Sequence, residues 1–385
     1  MLDKIDKISF IKADLLKEFS LGFGEKIIDF DADGKQVYVI GDLHQDSNSL
    51  KSILKATGFF EKEVYLVFLG DYIDRGEDPF LINKLLILRH YYGERIILLR
   101  GNHEVSPFSE LKAPKTDEWD FFNYLKSLDF DASEEILFYH EMFEKMPVLC
   151  RVKYRGFNIL LLHGGLPRVS LKNGYPKKLE YFFGLNSPIG ISYENDFLWN
   201  DFGYDGYNSK IRSEITQKES EYFLQQFGFD YIIRSHEYVK EGYKTDFDRI
   251  ITIFSNGSKN VIDASVNEES AYSGIPALFD LTNSEVCYFY SDKLIPVKKL
   301  YLKKFNKKVS KPVFNVSKKV KLKRVYFPSH FRVLDMNTGK VDVFTQSLIN
   351  YKNLQHFYGI DVSFAFRVNK IPLKIKKNEM KLLIY

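Results

Sequence analysis

Between residues 36 and 254, apolar positions come in short continuous runs separated by stretches with helical spacing. QVYVI (36–40), VYLVFL (64–69), RIILL (95–99), NILLL (158–162), DYIIR (230–234) and IITIF (250–254) are rich in Val, Ile, Leu, Tyr and Phe. Bounded by Gly, Asp and Asn, they read as strands. Residues 47–57, 79–92, 117–128, 133–145 and 217–227 carry apolar side chains three and four apart, which predicts helices. Strands apolar on both faces predict a layered α/β protein.

The character changes after residue 290. KPVFNVSKKVKLKRVYF, FRVLDMNTGKVDVFTQ and DVSFAFRVNKIPLKIKK read as strands, with NTGK as a turn. The expected organisation is an N-terminal extension (1–35), a main domain (36–290) and a small, basic, mainly β appendage (291–385). Charge follows the same division. Residues 291–385 hold 22 Lys+Arg against 5 Asp+Glu, or +17, which leaves −13 on the remainder. An anionic membrane, nucleic acid or an acidic protein could meet such a segment. Lys outnumbers Arg there, which disfavours sequence-specific reading of bases. A strand with one solvated Lys face fits equally well.

With 45% apolar and 28% charged residues over 385 positions, the chain has ample material for a core and the balance of a globular protein. Two cysteines, Cys150 and Cys287, cannot form a disulfide framework, so a reducing compartment is expected. No apolar run reaches the roughly 18–20 residues that span a bilayer. MLDKIDKISFIKADLL has no long apolar centre and does not read as a signal peptide. The expected location is the cytoplasm, or a host cytosol reached without a signal peptide.

Five predicted strands end in polar clusters: GDLH (41–44), GDYIDRG (70–76), RGNHE (100–104), HGG (163–165) and RSHE (234–237). Strand ends of an open α/β sheet face the crevice where ligands bind. A single His there is commonly structural, but five clusters in succession point to a site. Carboxylates, imidazoles and an amide without thiolates suit two divalent ions such as Mn, Fe or Zn. Such a pair activates water and clamps an in-line displacement. Arg75 offers a fork that matches phosphate oxygens.

GDLH, GDYIDRG, LLRGNHE, LLHGGLP and IIRSHE…EGY, in that order, resemble the motif set of the phosphoprotein phosphatases. These are calcineurin-like metallophosphoesterases that include the eukaryotic-type Ser/Thr enzymes. DFLWND (196–201) and ITIFS (251–255) resemble further family segments, and the likeness spans about residues 36–290. The resemblance implies a four-layer sandwich of two mixed sheets flanked by helices. It implies a metal-dependent phosphatase acting on phosphoserine and phosphothreonine, with phosphotyrosine open, by attack of a hydroxide held between two metals. By the same resemblance Asp42 and His44 bind one metal, Asp71 bridges, and Asn102, His163 and His236 complete the second. His103 is the general acid, with Asp74 beside it. Arg75 holds phosphate, aided by Arg212, and Glu104 is structural.

The sequence also departs from that pattern. Gln45 stands where a glycine usually follows the His of the first motif. NGSKN (256–260) carries Lys259 near the position of the family's cleft tyrosine. The segments after GNHE and HGGLP are particular to this chain, and loops on that face set specificity. Two alternatives therefore stay open. One is a diadenosine polyphosphate or RNA-end phosphohydrolase of the same fold. The other is an inactive phosphate-binding module.

Overall fold

The computed structural model describes residues 11–21, 26–104, 121–127, 133–168, 175–183, 193–204, 212–257 and 274–309, with five strands beyond them. The first half contains α1 (Lys12–Leu21), β1 (Ile27–Asp31), β2 (Gln36–Ile40), α2 (Ser47–Ala56), β3 (Val64–Phe68), α3 (Leu81–Tyr92) and β4 (Ile96–Leu98). α4 (Phe121–Lys126), α5 (Ser133–Lys145), β5 (Leu149–Tyr154) and β6 (Phe157–Leu162) follow. Then come α6 (Glu194–Trp199), β7 (Asp201–Phe202), β8 (Glu214–Ile215), α7 (Gln217–Phe227), β9 (Tyr231–Arg234), β10 (Tyr243–Asp246) and β11 (Ile250–Ile253). β12 (Ala277–Asp280), β13 (Glu285–Tyr290) and β14 (Lys293–Lys299) close this part.

Two six-stranded sheets result, in the orders β1-β5-β6-β9-β11-β10 and β14-β13-β12-β2-β3-β4. Each mixes parallel and antiparallel pairs, as the predicted fold class requires. Alternation within β2 explains the layering. Val37 and Val39 pack with Ile159, Leu161, Ile233 and Ile251 of the other sheet. Tyr38 and Ile40 point the opposite way, into a second core with Leu50 and Ile53 of α2 and Leu81 and Leu85 of α3. A strand whose two faces meet two cores has no use for polar positions, hence the continuous apolar runs.

Helix starts are encoded locally. Asp46 caps α2, its carboxylate accepting from Asn48 N and Ser49 N at 3.0 Å. Thr216 and Glu219 form a reciprocal capping box on α7, which Gly228 ends in the left-handed conformation. Every predicted strand and helix of 36–254 is present. In the helix expected at 117–128, residues 117–120 and 128 lie outside the described residues.

Both predicted boundaries cut through the sheets. β1 belongs to the first sheet, parallel to β5, so residues 27–31 are not an extension. β14 pairs with β13 across the 290/291 boundary. The Lys-rich KLIPVKK is a charged edge strand of the second sheet, a usual way to keep a sheet edge from pairing with strangers. Residues 300–309 continue along the same unit. Lys304 Nζ meets Asp230 at 3.0 Å, Phe305 N donates to Asp230 Oδ1 at 2.8 Å, and Lys307 Nζ meets Glu221 at 2.7 Å.

A second compact unit includes Lys311–Tyr385. In it β15 (His330–Asp335) pairs antiparallel with β16 (Val341–Thr345) and β19 (Met380–Leu383), and β17 (Ala365–Val368) pairs with β18 (Ile371–Lys374). The strands expected at FRVLD, VDVFT and around FRVNKIPLK are thus present. KPVFNVSKKVKLKRVYF lies outside the described residues. Among the described residues no helix is long and apolar enough to cross a membrane.

Candidate functional site

The polar clusters lie just past the C-terminal ends of their strands. Asp42 and His44 follow β2, Asp71 follows β3, and Asn102 and His103 follow β4, all in the second sheet. His163 follows β6 and His236 follows β9, in the first. The two sheets meet here, where Asp42 makes an isolated parallel bridge with Phe254. A Cβ on Gly41 would lie 2.1 Å from Ile253 O, so the approach of the sheets requires glycine at that position.

The loops are strained. Eleven described non-glycine residues have positive φ, and six of them lie here: His44, Gln45, Asp71, Asp74, Arg75 and His236. Left-handed backbone costs about 1–2 kcal/mol per residue, so the surroundings must hold it in place. Glu104 supplies much of that restraint. Its buried carboxylate accepts from Asp71 N and Tyr72 N at 2.8 Å and from Gly101 N at 2.9 Å, joining the loops after β3 and β4. This is the structural role expected for it.

Three imidazoles are oriented by carbonyls outside the cluster. A carbonyl only accepts, so each contact assigns an N–H to that side of the ring. His44 Nδ1 donates to Ile73 O at 3.1 Å and His163 Nδ1 to Leu69 O at 3.1 Å. His236 Nε2 donates to Trp199 O at 3.2 Å. The remaining nitrogens face inward. His44 Nε2 is 3.5 Å and His163 Nε2 3.3 Å from Asp71 Oδ2. His163 Nε2 and His236 Nδ1 stand 3.2 Å apart, each within 2.8 Å of Asn102 Oδ1. Asp42 lies beside them, 3.8 Å from His44 and 3.7 Å from His163.

That donor set fits divalent cations. Two inward lone pairs and an amide oxygen packed this closely repel unless a positive charge lies among them. Outward donation to carbonyls is how metal-binding imidazoles are held. His44, Asp71 and His103 form one group, and Asp71, His163 and His236 another, with ligand atoms in each within 4.8 Å of one another. Asp71 belongs to both.

Electrostatic shifts run both ways, and His163 is opposed by burial yet raised by Asp71 and Asp42. Burial and the Asp71 charge push the Asp42 carboxyl up. Burial also pushes Asp71 up, but His163 and His103 outweigh it and hold that carboxyl well below the usual range. Burial and Arg75 hold His44 well below its usual value. Burial and His163 do the same to His236, with Arg212 contributing. His103 is opposed by burial yet raised by Asp71 and by the hydrogen bond from its Nδ1 to Asp74 Oδ2 at 2.7 Å.

Arg75 thus acts on His44 and His103, and Arg212 on His236. Arg212 Nε donates to Asp201. Asp201 also pairs at 3.0 Å with the fully buried Arg234, whose other partner is Glu237. The structure therefore brings all ten predicted site residues to one place. Sequence reasoning assigned no role to Asp201, Arg234 or Ser235, whose Oγ holds Asp42 Oδ1 at 2.5 Å. The signal was available, since Asp201 ends DFLWND and the other two open RSHE. Lys259 lies outside the described residues.

Comparison with known proteins agrees with this geometry. The family model of calcineurin-like phosphoesterases matches residues 35–240. A probable serine/threonine-protein phosphatase of Encephalitozoon cuniculi is 27% identical over 242 residues, covering 60% of this chain and 49% of that protein. A serine/threonine-protein phosphatase of Caenorhabditis elegans is 30% identical over 230 residues, covering 57% and 47%. The chain thus spans about half the length of these relatives. A serine/threonine phosphatase structure from Saccharomyces cerevisiae superposes with TM-score 0.53 at 17% identity, over 77% of this chain and 90% of that one, which shows a shared fold. Since the family match covers more than half of the 385 residues and contains the strand-end motifs, the chain belongs to the calcineurin-like phosphoesterase family.

Proposed function

We propose that the chain is a metal-dependent phosphoprotein phosphatase that cleaves phosphoserine and phosphothreonine monoesters. The observation that carries this reading is the convergence of three outward-tethered imidazoles and Asn102 on Asp71. The names of the relatives, serine/threonine-protein phosphatases, support the substrate class.

Asp42, His44 and Asp71 would hold one ion, and Asp71, Asn102, His163 and His236 the other. Their mixture of oxygen and nitrogen donors suits Mn, Fe or Zn. When bound, two such ions would supply Lewis acidity and lower the pKa of water. Arg75 and Arg212 orient the phosphate by its oxygens. His103 gives a proton from Nε2 to the departing seryl or threonyl oxygen, because its Nδ1 is committed to Asp74. The Asp74 carboxylate keeps the imidazolium in the orientation that donates. A reducing cytoplasm suits the two cysteines, both buried free thiols.

The test is hydrolysis of phosphoserine, phosphothreonine and phosphotyrosine peptides with added Mn²⁺, by the wild type and by Asp71→Asn and His103→Ala. His103→Ala should lose roughly 10²–10⁴-fold in kcat. Equal rates in all three proteins would remove the proposal. Turnover of phosphotyrosine peptides above the other two would move the substrate class.

A further inference from the structure

The geometry points to Gln45 as a positioning residue for Arg75, an inference that rests on the phosphate-holding role proposed for Arg75. Gln45 is the residue that stands out of pattern beside the first two ligands, and its side chain is buried, 4% exposed. It adopts φ +62°, which a glycine would tolerate at no cost. A glutamine in that conformation needs compensation, and the contacts of its amide supply it.

In the orientation that its neighbours dictate, Nε2 donates to Gly76 O at 2.7 Å and Oε1 accepts from Asp74 N at 3.0 Å. The backbone of Gln45 adds two more bonds to the same loop. Its N–H donates to Tyr72 O at 3.0 Å and its carbonyl accepts from Asp78 N at 3.1 Å. One residue therefore grips the loop at 72, 74, 76 and 78. The side-chain pair brackets Arg75, which together with Asp74 is left-handed, at φ +69° and +64°. Gly76 makes the arrangement possible, since a Cβ there would lie 1.9 Å from His44 O and 2.8 Å from Gln45 Cβ.

Both ends of the buried amide are occupied by backbone, so Gln45 does not touch the phosphate. It acts through Arg75. Asp74 has side-chain anchors of its own, His103 Nδ1 at 2.7 Å and Phe121 N at 2.8 Å. Loosening the Gln45 clamp therefore disturbs phosphate binding more than proton delivery.

The experiment uses the full chain with Mn²⁺, a small aryl phosphate as substrate and inorganic phosphate as competitive inhibitor. Gln45→Met keeps length and burial while removing both amide bonds. It should raise KM and the phosphate Ki roughly tenfold and leave kcat within about threefold, because only the alignment of a binding group is lost. Bound manganese should match the wild type. In an Arg75→Ala background the same substitution should add less than about twofold, since the two act as one unit. If Gln45→Met does not fold, Gln45→Gly, which accepts the left-handed backbone, carries the same measurements. An unchanged Ki, loss of manganese, or a full tenfold loss repeated in the Arg75→Ala background would overturn the inference. An active wild type with unaffected Gln45 variants defeats this inference alone. A wild type that neither hydrolyses the ester nor binds phosphate defeats the proposed function and this inference with it.

Discussion

Arg75 and Arg212 act on opposite members of one imidazole cluster, and the fold secures them differently. Arg75 rides on a loop whose backbone is bonded at alternate residues to Gln45. Arg212, at the entry to β8, is fixed through its own guanidinium, which donates to Asp201. A backbone tether fixes position whatever the side chain itself meets. A carboxylate partner fixes position and offsets part of the charge that would meet phosphate. The Arg75 side should therefore depend on the Gln45 contacts to its loop, and the Arg212 side on the integrity of an ion-pair network.

The largest expected effect lies between the two sides. Asp71→Asn alters the carboxylate common to both ligand groups and should lower kcat/KM by roughly 10³-fold or more. A smaller loss would mean that the halves work independently. Next comes Asp201→Asn, which leaves the buried Arg234 with Glu237 as its remaining acidic partner. It should cost about 3 kcal/mol in denaturant unfolding. Stability equal to wild type would show that the network is not what holds Arg212. Arg75→Lys and Arg212→Lys should then each lose roughly 10- to 10²-fold in kcat/KM, because an ammonium cannot reproduce the fork. Wild-type rates in either variant would remove that arginine from phosphate binding.

A further effect separates the sides by pH. Asp196 opens α6, the helix that leads to Asp201, and burial pushes its carboxyl up to about 6. The unfolded chain gives up that proton first, at a lower pH. Stability therefore falls as pH rises through the window from about 4 to 6 and stays lower above it. Asp196→Asn should gain about 2 kcal/mol at pH 8 and nothing near pH 3.5, read from unfolding midpoints at the two pH values. A gain that persists at low pH would assign the effect to packing.

Strand ends were legible because the chain writes them plainly. QVYVI cannot continue into GDLH without leaving the core, and the same holds at GDYID, GNHE, HGG and RSHE. Asp42, His44, Asp71, Asn102, His103, His163 and His236 followed from that rule and the family likeness. Partnerships formed across the fold were not legible. Nothing local to Asp201 says that it will receive both Arg212 and Arg234, since one arrives from β8 and the other from the end of β9. Gln45 was visible as an anomaly, but its reason lies in Gly76, thirty-one positions away and bare of a side chain. The missed boundaries have a similar origin. Edge strands β1 and β14 carry polar and charged positions, so the apolar runs that announced the central strands were absent.

The run from Lys293 to Val309 bears on how the chain can be dissected. Two of its lysines, Lys304 and Lys307, serve as counter-ions to Asp230 and Glu221. Val309 N ends the run on Gln225 Oε1 at 2.5 Å. A stop codon at 291 would unzip a sheet edge and strip neutralising charge from an acidic body. One placed after Val309 would remove the remaining basic chain and leave those contacts in place. Any activity attributed to the basic segment depends on which of those two cuts was made.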